Sequence, residues 1–459
     1  MIHRYQKKGL NFVLDVNSGA VHLLDDISYA VSGLLDENMG DTCPQGIIDA
    51  LPDYTADEIR EAYDELYELK KAGQLFAQDD YIDVSRYIPV NAPVKALCLH
   101  VAHDCNLRCK YCFASTGDFG QGRKIMPPEI AKKAIDFVIA RSGVRHNIEV
   151  DFFGGEPLMA WDTVTQTVDY ARSLEKKYNK KFRFTITTNG LLLDEDKRKY
   201  INENMDNCVL SLDGRREVND EFRKTVAGTG SYDTIVPKFK ALVDERDPNL
   251  DYYARGTFTS HNLDFAEDVL SIADAGFDRL SVEPVTADPG CGYDLTEDDL
   301  PKIEAEYDRL TDIMLERKKE GKPFTFFHFM VDLDQGPCVV KRLRGCGAGY
   351  EYVAVTPDGD IYPCHQFVGK DEFKQGSVLD QSFNMDIAQK FAGMNIYSRP
   401  KCQKCWAKFY CSGGCSAANY NMNHDMNDSY DLGCEMERKR LECAIYLKAM
   451  DKICANQSK

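Results

Sequence analysis

The stretch KALCLHVAHDCNLRCKYCF, residues 95–113, decides the architecture. It opens on an apolar run of strand length, 95–102. A loop carrying three cysteines, Cys105, Cys109 and Cys112, follows in C-x3-C-x2-C spacing. Five more strand-like runs lie C-terminal to it, at 148–153, 182–187, 208–212, 253–259 and 279–283. Helical patterns fill the gaps near 128–141, 161–178, 195–204, 232–246 and 264–275. Alternation with helix-length connectors predicts parallel strands. The expected fold is α/β: a partial (β/α)6 TIM-like barrel over residues 91–320. Chemistry in such a barrel sits on loops after the strand C-termini, which is where the cysteine loop falls.

Upstream, residues 1–90 read as a separate unit. Apolar runs at 11–16 and 20–24 flank Asn17-Ser18-Gly19, a hairpin signal, and a helix is expected from 27 to about 35. Thr55-Ala56-Asp57-Glu58 is a capping box that opens a helix through Lys71, stopped by Gly73. Hairpin plus small helices predicts a winged-helix-like module, with Asn91-Ala92-Pro93 as linker. Downstream, 296–320 reads as one charged helix, acidic at its start and basic at its end. From Cys338 onward the chain holds ten of its seventeen cysteines and little periodicity. That segment, within a C-terminal domain expected over 321–459, is expected to be short of core and to need metal.

The whole chain has 459 residues, 43% hydrophobic and 28% charged, with a net charge of −18. That is ordinary globular usage and excludes disorder, collagen-like repeats and coiled coil as the main state. No basic patch stands out, which argues against nucleic acid as partner. No run of eighteen apolar residues occurs, and the basic opening MIHRYQKKGLNF has no apolar run behind it. These features predict no membrane span, no secretory signal and a cytoplasmic location. In that compartment seventeen cysteines in tight spacings point to metal or iron–sulfur ligation rather than disulfides. Three thiolates in one short loop can hold three irons of a [4Fe–4S] cube and leave the fourth iron open.

The triad spacing resembles that of radical S-adenosylmethionine (SAM) enzymes, and it does not stand alone. Phe152-Phe153-Gly154-Gly155-Glu156-Pro157 follows the second strand and matches the family's GGEP motif. Thr187-Thr188-Asn189-Gly190 follows the third strand and Ser211-Leu212-Asp213-Gly214 the fourth. The resemblance implies that Gly154, Gly155, Glu156 and Pro157 meet the methionine amino group of SAM, with Asn189 beside them. It assigns Ser211 and Asp213 to the SAM carboxylate and ribose, Arg223 to the carboxylate, and Val282-Glu283-Pro284-Val285 to the border of the adenine. In that chemistry SAM chelates the open iron, and the reduced cluster breaks its C–S bond to give a 5′-deoxyadenosyl radical.

The tail matches the SPASM pattern. Cys346 is followed by Gly359-x4-Cys364, then Cys402-x2-Cys405-x5-Cys411-x3-Cys415, and last Cys434. The resemblance implies two auxiliary [4Fe–4S] clusters, for three in all. Cys346, Cys364 and Cys415 would hold the first, and Cys402, Cys405, Cys411 and Cys434 the second. Cys338 is a candidate fourth ligand of the first, an open iron being the alternative. The start MIHRYQKKGLNFVLDVNSGAVHLLDD resembles the maturases of SCIFF peptides, short Cys-rich ribosomal precursors. That resemblance implies a thioether link from a cysteine sulfur to a carbon of an acceptor residue, often threonine, with an auxiliary cluster as acceptor for one electron. It also implies a leader peptide bound by residues 1–90 through β-augmentation, and a low-potential reductant such as ferredoxin or flavodoxin. Three other peptide modifiers share the pattern: formylglycine-forming sulfatase maturases, epimerases and carbon–carbon cross-linkers. A non-enzymatic iron–sulfur carrier is the alternative from another class.

Overall fold

The computed structural model describes residues 1–83, 92–333 and 339–457. The chain begins with an antiparallel meander of β1 (Ile2–Lys7), β2 (Leu10–Asp15) and β3 (Val21–Leu24), in that spatial order. The sequence reading contained β2 and β3 but not β1, whose IHRYQK lacks clean alternation. Its register is set by a two-residue turn in which Lys8 and Gly9 both take positive φ, the twist that suits a tight hairpin. Helices Asp26–Ser32, Gln45–Ala50 and Ala56–Lys71 follow. The capping box forms at the third: Glu58 N–H donates to Thr55 Oγ1 and Thr55 N–H to Glu58 Oε2. Val13, Val31, Ile59, Tyr63 and Leu66 make a small core between sheet and helices.

The central sheet has eleven strands. β4 (Ala96–His103), β6 (Asn147–Gly154), β7 (Lys181–Thr188), β8 (Asn207–Ser211), β9 (Asp251–Phe258) and β10 (Arg279–Pro284) lie side by side and parallel, each within two residues of its sequence expectation. β11 (Thr325–Phe326) extends the array parallel to β10, and β5 (Lys124–Ile125) pairs antiparallel with the end of β4. Helices lie between consecutive strands and close over a continuous core that includes Leu97, Leu99, Phe152, Phe184, Ile186, Leu210 and Phe258.

The outer side of β4 is taken by the tail. β12 (Tyr352–Val355) runs parallel to β4, and β13 (Asp360–Tyr362) and β14 (Gly376–Ser377) continue antiparallel. The expectation of a core-poor tail is corrected in two places. Phe367, Phe373 and Phe391 pack together with Met394 and Met426, and Tyr420 meets Phe373 edge-on. The long helix Asp431–Gln457 then lies along helix Leu300–Lys319, tied by Lys439 to Asp308 at 2.7 Å and Asp451 to Lys318 at 2.6 Å. Its residues Ile445 and Tyr446 also pack under Tyr5, Phe12 and Leu14 of the first sheet. No described helix is long and apolar enough to cross a membrane.

Candidate active site

All the parallel strands end on one rim, and the sequence motifs gather there. Beyond β4 the chain turns through Asp104, whose carboxylate accepts the Cys105 N–H at 2.8 Å. The loop is then laced to its neighbours. Gly155 N–H donates to Ala102 O at 2.7 Å and Glu156 N–H to Asp104 O at 2.9 Å. On the other side Arg108 and Lys110 N–H groups donate to Lys224 O and Phe222 O. The approach at Gly155 leaves no room for a side chain: a Cβ there would stand 2.1 Å from Asp104 O.

Cys105, Cys109 and Cys112 line one cavity of roughly 1330 Å³, part of it open to solvent, with Gly154, Gly155, Glu156, Asn189, Ser211 and Arg223. Burial pushes the Cys105 and Cys109 thiols up to about 12. Buried thiols of this kind ionise only when a strong positive charge arrives, which is what a metal centre provides. Among the described residues no three His, Cys, Asp or Glu side chains converge as the shell of a single ion. Three thiols spread round a wide cavity fit a multi-iron cluster better than one cation.

Glu156 is 1% exposed and spans the gap between the loops after β6 and β7. Its Oε1 accepts from Leu158 N–H at 3.0 Å and Thr188 Oγ1 at 2.7 Å, and its Oε2 from Asn189 N–H at 2.7 Å. Burial lifts its carboxyl to about 7 against those donors. Pro157 continues directly into a short 3-10 turn capped by Glu156. Asn189 reaches back across the cavity, its Nδ2 donating to Asn106 Oδ1 at 2.8 Å.

Asp213 stands behind the cavity wall rather than on it. It is fully buried and accepts from Arg223 Nη2 at 2.9 Å, Tyr111 OH at 2.5 Å and Thr257 N–H at 3.0 Å. With its oxygens so engaged, the group it presents to the cavity is Arg223. Cys338 lies outside the described residues.

The far wall adds Arg255, Thr257 and His365, which no motif singled out, to the Glu283 expected beside the adenine. Arg255 donates to Glu283, and Ser281 Oγ lies 3.1 Å from His328 Nε2. Burial would raise the Glu283 carboxyl, but Arg255, His328 and Arg440 hold it below the carboxylate range. His365 is pushed down to about 4 by burial, with Arg255 adding to it. Its Nδ1 lies 3.4 Å from Tyr352 OH, and its ring packs on Phe113 and Phe153. A second, more polar cavity shares Tyr111, Cys112, Phe113, Thr286, His365 and Gln366 with the first, so the site continues outward past Phe113.

Another cavity of about 670 Å³ lies in the tail, lined by Cys402, Cys405, Cys411 and Cys434. Cys346, Cys364 and Cys415 form a further group: burial pushes Cys364 up to about 12, and Cys415 and Cys346 add to the rise.

Residues 99–251 match the radical SAM superfamily, and residues 346–406 match the SPASM iron–sulfur cluster-binding domain. The chain carries a radical SAM domain and a SPASM domain. It is homologous to anaerobic sulfatase-maturating enzymes and other SPASM maturases. A cysteine-type anaerobic sulfatase-maturating enzyme of Clostridium novyi is 26% identical over 72% of this chain and 90% of its own. The solved structure of native anSMEcpe with bound AdoMet and Kp18Cys peptide superposes with TM-score 0.64 at 21% identity, covering 78% of this chain and 99% of that one. Streptococcus suis SuiB bound to precursor peptide SuiA superposes with TM-score 0.52 at 16% identity, over 93% and 97% of the two chains. The radical SAM match contains the triad, the GGEP turn and Arg223. Arg255, Glu283 and His365 lie outside it and come to the same cavity only through folding. The signal for Arg255 was available: a charged residue inside the alternating strand YYARGTF.

Proposed function

We propose that this chain forms thioether cross-links in a Cys-rich ribosomal precursor of the SCIFF type. The supporting observation is one rim that joins a three-cysteine cavity to an outward polar groove, beside a tail with two further cysteine groups. Cys105, Cys109 and Cys112 would hold the first [4Fe–4S] cluster. Cys346, Cys364 and Cys415 would hold the second, with Cys338 or an open iron completing it. Cys402, Cys405, Cys411 and Cys434 would hold the third. Bound there, cluster and SAM would supply radical abstraction of hydrogen from an unactivated carbon.

This chain's own residues do the positioning. The side-chain-free Gly154-Gly155 turn lets the backbone of the cysteine loop close down on it, a Cβ at Gly154 standing 2.2 Å from Ala102 O. Glu156 locks that turn to Asn189 and keeps its shape. Arg223, anchored from behind by Asp213, presents a cation to a carboxylate; Ser211 offers a hydroxyl. Phe113 and the engaged Arg255–Glu283 pair narrow the way in and limit water. In residues 1–90, β3 pairs only with β2 among the described residues, leaving an edge suited to an added leader strand. A low-potential protein reductant would complete the system.

Each thioether removes two hydrogens: the one on the acceptor carbon would leave as an atom to the SAM-derived radical, the one on the cysteine sulfur as a proton, and the remaining electron would pass to an auxiliary cluster. Anaerobic reconstituted protein, reduced and given SAM and a Cys-rich precursor, should release 5′-deoxyadenosine. It should also yield peptide lighter by two hydrogens per link, with that cysteine closed to alkylation. A second reading, formylglycine formation, is favoured by the sulfatase-maturase relatives. It predicts an aldehyde on a Cys or Ser peptide that lacks a leader, and that product would replace the thioether reading.

A further inference from the structure

Arg399 stands beside both cysteine groups of the tail, its guanidinium holding the loop between Cys411 and Cys415. It is 2% exposed. Its Nη1 donates to Gly413 O at 2.7 Å and its Nη2 to Ser416 Oγ at 2.9 Å, while Nε finds no partner. The loop between Cys411 and Cys415 is wrapped on this guanidinium. Gly413 has φ +89°, and a Cβ there would stand 2.1 Å from Nη1.

The other cations around the tail cavity are matched. Lys408 pairs with Asp79 at 2.7 Å, Lys401 with Asp431 at 2.8 Å, and Arg438 with Glu435. Arg399 makes no ion pair with a carboxylate among the described residues. The groups that act on its charge are the sulfurs of Cys402, Cys411, Cys415 and Cys346. The first two line the tail cavity, and the last two belong to the other group.

A buried guanidinium without an anion is strongly disfavoured. Neutral thiols do not supply one. Thiolates gathered on an iron–sulfur cube do, because such a centre is a net anion and gains one more negative charge on reduction. We propose that Arg399 is the shared counter-cation of two tail clusters, raising the reduction potentials of both together. This rests on the reading that both cysteine groups hold clusters. It adds that the two centres are coupled through one side chain. Removing the cation disfavours the more negative, reduced form, so both potentials should fall.

The test is anaerobic potentiometry followed by electron paramagnetic resonance. It uses full-length protein in which Cys105, Cys109 and Cys112 are Ala, so that only tail centres give signals. Arg399→Met should lower both midpoints by about 59 mV or more, a tenfold shift in each one-electron equilibrium. Arg399→Lys, which keeps the charge and loses the fork, should stay within about threefold of the parent. Lys401→Met removes an exposed, carboxylate-paired cation and should move only one midpoint, by less than Arg399→Met does. The proposal is overturned if Arg399→Met moves neither midpoint or only one. Should the Met variant fail to assemble, Arg399→Gln, a neutral side chain that keeps hydrogen-bond donors, decides: a fall in both midpoints sustains the proposal, and unmoved midpoints overturn it. Parent protein with fewer than two tail clusters by iron and sulfide analysis defeats the underlying cluster reading itself.

Discussion

The two cysteine-bearing regions are built by opposite means. The first cavity stands on the rim of a parallel sheet whose core is complete without any ligand, and backbone bonds between Ala102, Asp104, Gly155 and Glu156 hold its shape. The second is enclosed by helices of four residues, Pro400–Gln403 and Lys408–Cys411, too short to be stable alone, with Cys434 brought in from the long helix. In one region the protein fixes the site and the cofactor arrives. In the other, Phe409, Leu343 and Ile396 pack on Cys402, and the thiols sit on loops with little regular structure of their own.

The largest effect that would break this contrast concerns the triad. Cys105→Ala, Cys109→Ala and Cys112→Ala together should abolish SAM cleavage while iron falls by only about one third, from about twelve per chain. Loss of all iron would show that the two regions assemble as one. Next comes Gly155→Ala, which drives a methyl into Asp104 O. A displacement of about 1 Å at a reacting centre costs about 100-fold in rate. Cleavage should fall by that order with tail iron unchanged, as read by 5′-deoxyadenosine release and tail-cluster signals. The smallest is a pH effect. The Glu156 carboxyl is near 7 folded against 4.5 for an ordinary glutamate. The folded state thus keeps its proton longer than the unfolded one. Metal-free protein should lose stability as pH rises from 4.5 to about 7, and Glu156→Gln should flatten that slope in thermal melts. An unchanged slope would place the carboxylate's burden elsewhere.

Sequence reading succeeded where information is local. Six apolar runs became parallel strands, and C-x3-C-x2-C, GGEP and Thr-Thr-Asn-Gly stand at strand ends because loops inherit their place from the strand before them. It missed what distance in the chain creates. YVAV at 352–355 is too short to declare its partner, yet it pairs with Ala96–Leu99. The long helix after Asp431 spreads apolar residues around its circumference, because it touches both the first sheet and helix Leu300–Lys319. The family resemblance assigned Asp213 to the SAM carboxylate and ribose. Only the fold shows Arg223, Tyr111 and Thr257 converging on it from three other segments.

The pairing of β12 with β4 carries a practical consequence. β4 is buried at every position but its first, and its outer hydrogen-bonding border is covered by a segment more than two hundred residues downstream. Cutting the polypeptide anywhere between them and keeping the front half would bare a long apolar border, the kind that recruits other chains into aggregates. Neither half is a detachable cassette, and truncation experiments would report insolubility before they reported anything about catalysis.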